Sequence, residues 1–168
     1  DFSVPYYYTP AVIAVGADSA YTSLADLAGM ALCAGASTTY EIWLSNGTLD
    51  LPESSIYAQP PAGVTVVPLE TDQECAQALA AGREDFVGYV TSKTVVDSNI
   101  AAGLPVRQLG SPVFSEDLAA AVDRSATLDT VTLLAEVDSV ITAMHADGRL
   151  AELSIQWFGV DFTQAPNQ

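Results

Sequence analysis

The run Gly35-Ala36-Ser37-Thr38-Thr39 sets small residues and three hydroxyls directly before Tyr40-Glu41-Ile42-Trp43-Leu44, whose large apolar groups recur at helical spacing. A small-residue turn that opens a helix leaves backbone N–H groups without intrahelical partners, at the positive end of the helix dipole. The chemistry this suits is anion binding. The turn has no lysine, as a phosphate-binding P-loop would, and no spaced glycines, as a dinucleotide fingerprint would, so a carboxylate fits it better than a nucleotide. An ordinary Ser or Thr N-cap explains the same residues.

Few other reactive groups are present. Two cysteines, Cys33 and Cys75, and a single histidine, His145, form no ligand set at metal spacing, so neither a metal nor a cofactor is expected. The cysteines suit one disulfide, which would close a loop of 42 residues. In an oxidising compartment that bridge would contribute roughly 4 kcal/mol in the chain-entropy model. The alternative is two separate buried thiols acting as small apolar residues. His145 falls in Met144-His145-Ala146-Asp147-Gly148 at the end of a long helical pattern, where a cation meets the last carbonyls. A structural role there is expected in preference to a catalytic triad. The adjacent acids Glu84-Asp85 and Glu116-Asp117 read as solvated surface.

The elements that must position these residues follow from patterning. The chain of 168 residues is 49% hydrophobic and 15% charged, the composition of a globular protein. Five Lys and Arg against 21 Asp and Glu give a net charge of −16, which repels phosphate backbones and anionic lipid and argues against binding nucleic acid or a membrane surface. No apolar run approaches the roughly 18 to 20 residues that span a bilayer. Without an initiating Met or a signal segment, the sequence reads as a piece of a longer chain whose targeting signal lies upstream.

Strands are expected at residues 11–15, 30–34, 64–69, 86–90, 106–109 and 118–122. Between them fall a short helix from Ser23 stopped by Gly29, the helix after Thr39, a helix opened by the capping box Thr71-Asp72-Gln73-Glu74, and a helix over 93–102 closed by Gly103. Residues 46–63 form an irregular insertion in which the Asn46-Gly47-Thr48 sequon is incidental. This alternation predicts an α/β fold with a mostly parallel sheet and helices on both faces. Two helices end the chain, over 128–146 and 150–158. Their apolar faces, carrying Leu134, Ile141, Leu153 and Trp157, are expected to be exposed, which suggests a swapped homodimer.

Five short segments in this order carry a resemblance: the opening Asp1-Phe2-Ser3-Val4-Pro5-Tyr6-Tyr7-Tyr8, Ser23-Leu24-Ala25-Asp26-Leu27-Ala28-Gly29, Ala78-Leu79-Ala80-Ala81-Gly82-Arg83-Glu84-Asp85, Asp147-Gly148-Arg149-Leu150, and the closing Trp157-Phe158-Gly159-Val160-Asp161. Together they look like the extracellular solute-binding proteins of amino-acid ABC transporters, over nearly the whole chain. The resemblance implies a type II periplasmic-binding-protein fold of two α/β lobes that close on a ligand, here as one lobe plus C-terminal helices of an incomplete lobe one. By that mapping residues 1–16 are the outgoing hinge segment, 17–109 lobe two, 110–123 the return segment and 124–168 lobe-one helices. Cys33 and Cys75 match a cystine seen in some members.

The resemblance also implies a site and a role. The loop matching Ser37, Thr38 and Thr39 donates hydrogen bonds to the ligand α-carboxylate, with Thr38 foremost, and Tyr7 in the outgoing segment joins the ligand contacts. Where the family places an Asp for the ligand α-ammonium, this chain reads Val90-Thr91-Ser92. A neutral hydroxyl at Thr91 or Ser92 forgoes the charge-assisted bond, which is roughly twice as strong as a neutral one, and so leaves an altered or non-amino ligand open. The function implied is an extracytoplasmic receptor, periplasmic or anchored at the cell surface. It would bind a small polar solute such as an amino acid, deliver it to an ABC permease and break no bond. The alternatives are an enzyme of dehydratase or lytic transglycosylase type on the same fold, or a ligand-sensing domain.

Overall fold

The computed structural model describes residues 1–127 and 129–165, in two compact units. One unit comprises Pro10–Ser115 and the other Asp1–Thr9 with Glu116–Gln168. The strands are β1 (Tyr7–Gly16), β2 (Ala31–Gly35), β3 (Thr65–Leu69), β4 (Gly88–Ser92) and β5 (Val106–Leu118), ordered β3-β2-β4-β1-β5 in one sheet. The helices are α1 (Thr39–Leu44), α2 (Asp72–Ala80), α3 (Lys93–Ala101), α4 (Thr130–Ala146) and α5 (Arg149–Phe158).

In β1 the uninterrupted apolar run buries both faces. Ala11, Ile13 and Val15 face Tyr40, Trp43 and Leu44 of α1, while Val12 and Ala14 face Cys75 and Ala76 of α2 and Val96 of α3. A strand covered on both sides needs no polar alternation, which is why this segment reads as continuous hydrophobe. Gly88 is required by close approach. A Cβ there would stand 2.6 Å from the Ala14 carbonyl oxygen, on the strand that β4 pairs with at Val15↔Gly88.

The expected α/β fold with a mostly parallel sheet is present, and one expectation about strands, the pair at 106–109 and 118–122, is corrected. The sheet is mixed: β2 runs parallel to β3 and to β4, but β1 is antiparallel to β4. The segment between β1 and β2 holds a single 3-10 turn, Leu24–Leu27, so no full crossover helix brings the chain back in the same direction. The short strands expected at 106–109 and 118–122 are instead one strand of 13 residues, β5. Gly110, with φ 68°, and Pro112 resemble a break in sequence but are carried inside it. Among the described residues beyond β5, Ala121 alone bridges, to Phe2.

In the other unit α4 and α5 also depart from expectation. Residue 128, where the first helix was expected to begin, lies outside the described residues. Ile141 and Leu150 are buried and Leu134 and Leu153 half-buried, so these faces are covered; of the four apolar residues expected to be exposed only Trp157 is, at 73%. The exposed apolar residues of these helices are instead Val131, Leu133, Val140, Ile155, Trp157 and Phe158. His145 has the expected structural role through a different carbonyl: its Nε2 lies 2.9 Å from the oxygen of Pro5.

Cys33 and Cys75 form the disulfide, Cα to Cα 5.7 Å, fastening the middle of β2 to the first turn of α2. Replacing both by Ala is expected to lower the unfolding free energy by about 2 to 4 kcal/mol. Denaturant titration checks this, and reduction of the wild type should move it the same way. An unchanged midpoint would show that the bridge adds nothing.

Candidate functional site

The strand order creates a topological switch point. From β2 the chain moves to β3 on one side, and from β4 it moves through α3 to the opposite side of the sheet, so the connections leaving β2 and β4 diverge. These two strands are parallel neighbours, and in open α/β sheets the crevice beyond the carboxyl ends of such a pair is where ligands bind. Ser37, Thr38 and Thr39 follow β2 directly, and Thr91 and Ser92 end β4. Sequence reasoning thus assigned five of its candidates to one place in the topology.

In the β2 loop, much of the donor set is engaged within the chain. The Ala36 N–H donates to the Leu69 oxygen, extending the β2–β3 ladder by one rung. Ser37, exposed and in the left-handed region at φ 63°, donates its N–H to the Glu41 carboxylate at 2.6 Å. Thr38 is the N-cap of α1. Its hydroxyl accepts from the Glu41 N–H at 3.3 Å and donates to the Gly35 oxygen at 2.6 Å. The capping explanation of these residues therefore holds, and an internal carboxylate already occupies one amide that the anion-binding explanation needs.

At the end of β4, alternation decides the roles. Tyr89 and Thr91 share the face toward α2 and α3, and Thr91 is fully buried with its hydroxyl donated to Asp72 Oδ2 at 2.9 Å. Thr91 can therefore act on a ligand only through Asp72, as a positioning residue. Ser92, on the opposite face, caps α3. Its Oγ accepts from the Val95 N–H at 3.4 Å and lies 2.9 Å from Thr94 Oγ1. Burial pushes the Tyr89 phenol above its ordinary pKa, and the charge of Asp72 adds to that while the Asn99 amide opposes it.

Asp72 is the residue that sequence reasoning missed. It was read only as the second residue of a capping box, yet Thr71 alone caps α2, accepting from the Glu74 N–H at 3.2 Å. The Asp72 carboxylate turns instead toward the sheet, where Oδ1 accepts from the Gly35 N–H at 2.7 Å and Oδ2 from Thr91. The signal was available: Thr91 shares the parity of Tyr89 and so faces the helix whose first residue is Asp72. Tyr7 lies in the other unit, where its hydroxyl donates to the Leu150 oxygen at 3.0 Å and its ring meets Phe158 edge-on.

All five cationic side chains are committed elsewhere. Arg83 pairs with Asp85, Lys93 with Asp97, Arg124 with Asp1 and Arg149 with Glu152, and Arg107 holds the carbonyls of Ala17, Ser19 and Tyr21. A cavity of about 240 Å³ beside Trp43, Leu49, Ile56 and Gln59 has no charged residue in its lining.

The mixed sheet with helices on both faces is the α/β architecture of type II periplasmic binding proteins. The chain belongs to the bacterial extracellular solute-binding proteins, family 3, whose model matches residues 1–160. It is 29% identical over 171 residues to the L-cystine-binding protein TcyJ of Escherichia coli strain K12, an alignment that takes in 98% of this chain and 56% of the relative. The chain thus spans just over half the length of the curated relatives it matches. Among solved structures it resembles an ancestral arginine-binding protein bound to arginine, with TM-score 0.72 and 25% identity over 95% of this chain and 64% of that one. A second, the ancestral amino acid-binding protein AncCDT-1, a precursor of cyclohexadienyl dehydratase, matches in fold with TM-score 0.70 at 23% identity, over 94% of this chain and 61% of that one.

A Cβ at Gly35 would stand 2.5 Å from Asp72 Oδ1 and 3.2 Å from Thr38 Cγ2. Gly35→Ala is therefore expected to push the carboxylate out of its seat and cost about 1 to 3 kcal/mol of stability. Thermal or denaturant unfolding checks this, and wild-type stability in the variant would contradict the close contact.

Proposed function

We propose that the protein is the extracytoplasmic receptor of an ABC import system and that it captures a small amino acid and hands it to a membrane permease. The observation that carries this is the switch point at the ends of β2 and β4, where Thr38 and the Asp72 carboxylate converge over Gly35 in a member of a solute-binding family. The relatives named for cystine and arginine binding support an α-amino acid as the ligand class. Among the described residues no helix is long and apolar enough to cross a membrane.

The Ser37–Thr39 loop supplies the carboxylate end of the site. The Ser37 N–H already holds a carboxylate, that of Glu41, at 2.6 Å, so the ligand carboxylate competes with an internal one for a donor of the right chemistry. Residues 17–109 act as the closing lobe in this account, with residues 1–16 and 110–123 as the two crossings. The division between the compact units falls inside β1 and inside β5, within those segments. Binding alone is the activity. Asp72 accepts from two donors, which suits a fixed acceptor better than the proton donor a dehydratase would need.

The test is a thermal-shift screen of the full-length protein against the twenty L-amino acids, L-cystine and small dicarboxylates, repeated on Thr38→Ala. One or a few amino acids are expected to raise the wild-type Tm, and the ligand-induced increment is expected to shrink in the variant, whose own Tm drops with the loss of an N-cap worth about 1 kcal/mol. A flat response to every amino acid would contradict the receptor reading.

A further inference from the structure

We propose that Asp72 is the residue that selects for a cationic group on the ligand, reading the α-ammonium in place of the carboxylate that the end of β4 lacks. This rests on the amino-acid reading above and deepens it.

The negative charge missing from Val90-Thr91-Ser92 is present in space, supplied by another element. Thr91, the neutral residue at that strand end, spends its hydroxyl on Asp72 Oδ2. The other oxygen takes the Gly35 N–H at the end of the neighbouring strand. Each oxygen of an ionised carboxylate can accept about two hydrogen bonds, so each keeps capacity for a further donor. Asp72 is half-buried, and every Lys and Arg of the chain is occupied with other partners. His145 is in the other unit, held at Pro5. No Lys or Arg pairs with this carboxylate, so its charge stays available to a cationic group of a ligand.

The position is also preorganised. Gly35 has no Cβ and so leaves room for the carboxylate, which converges with the Thr38 methyl on one point above it. Three residues further along α2, Cys75 is bonded to Cys33, two residues before Gly35 on β2. The carboxylate is thus held by a covalent tie and by two hydrogen bonds from separate strands, as a selective contact requires. The α2 dipole accounts for an acid at this helix position, but Thr71 already caps the helix, so the dipole does not explain why the side chain turns to the strands.

The test is Asp72→Asn in the full-length protein. Asparagine keeps the shape and can still accept from Gly35 while its amide donates to Thr91. Calorimetric titration would use those of the twenty L-amino acids and L-cystine that bind the wild type, each beside its α-hydroxy counterpart. Loss of a charge-assisted bond is expected to weaken amino-acid binding about 10- to 100-fold while leaving the hydroxy acid within about twofold, so that discrimination between the two collapses. Equal weakening of both ligands, or undiminished discrimination, would overturn the proposal while leaving the receptor reading intact. If no amino acid binds the wild type, the receptor reading fails and this inference fails with it. Should Asp72→Asn not fold, the Asp72 carboxyl carbon resonance of the wild type decides: it is expected to shift with amino acid and not with hydroxy acid, and the reverse or an equal shift would overturn the assignment.

Discussion

The close approach of α2 to the end of β2 is the constraint on which the rest of this unit depends. Helix and strand are tied covalently through Cys33 and Cys75, and one turn away Asp72 reaches over Gly35 to Thr91, so one carboxylate braces two parallel strands where their connections diverge. The tie puts α2 against the face of Val12, Ala14 and Tyr89, and leaves the other face to Tyr40, Trp43 and Leu44 of α1. Both faces of the sheet are thus covered, one by the disulfide-fastened α2 together with α3 and the other by the aromatic side chains of α1.

Local chemistry made much of this legible from sequence. Thr71-Asp72-Gln73-Glu74 announced α2, Gly35 to Thr39 announced a loop opening α1, and the strand expected over 86–90 lies two residues later, at Gly88–Ser92. The direction of β1 was not legible. Whether a strand runs with or against its neighbour depends on the path of the chain between them, and the single 3-10 turn at Leu24–Leu27 looks in sequence like the start of a helix. The continuity of β5 was hidden for a related reason. Gly110 and Pro112 are loop signals, and they are overridden by pairing with residues far away in sequence.

The site shows the same boundary between local and non-local information. Thr38 was singled out from its place at a helix opening, and Thr91 and Ser92 from the family resemblance, but their contacts were not legible: two are helix caps, and Thr91 is a buried support for a carboxylate 19 residues earlier. Asp72 escaped notice because an acid in the first turn of a helix has a sufficient local explanation. Its second role appears only when the helix is laid across the sheet. The neutral end of β4 has an acid beside it after all, held there by another element through the Thr91 hydroxyl.

The central claim is that ligand is read at the carboxyl ends of β2 and β4. The most direct measurement is a backbone amide NMR titration of the full-length protein with the amino acid that stabilises it most. The account expects the largest saturable shifts at residues 35–39, 72 and 91–92, with the Ser37 amide moving as Glu41 is displaced from it. Shifts concentrated instead around Trp43, Leu49 and Ile56, with residues 35–39 and 72 unmoved, would place the ligand in the uncharged cavity and contradict it.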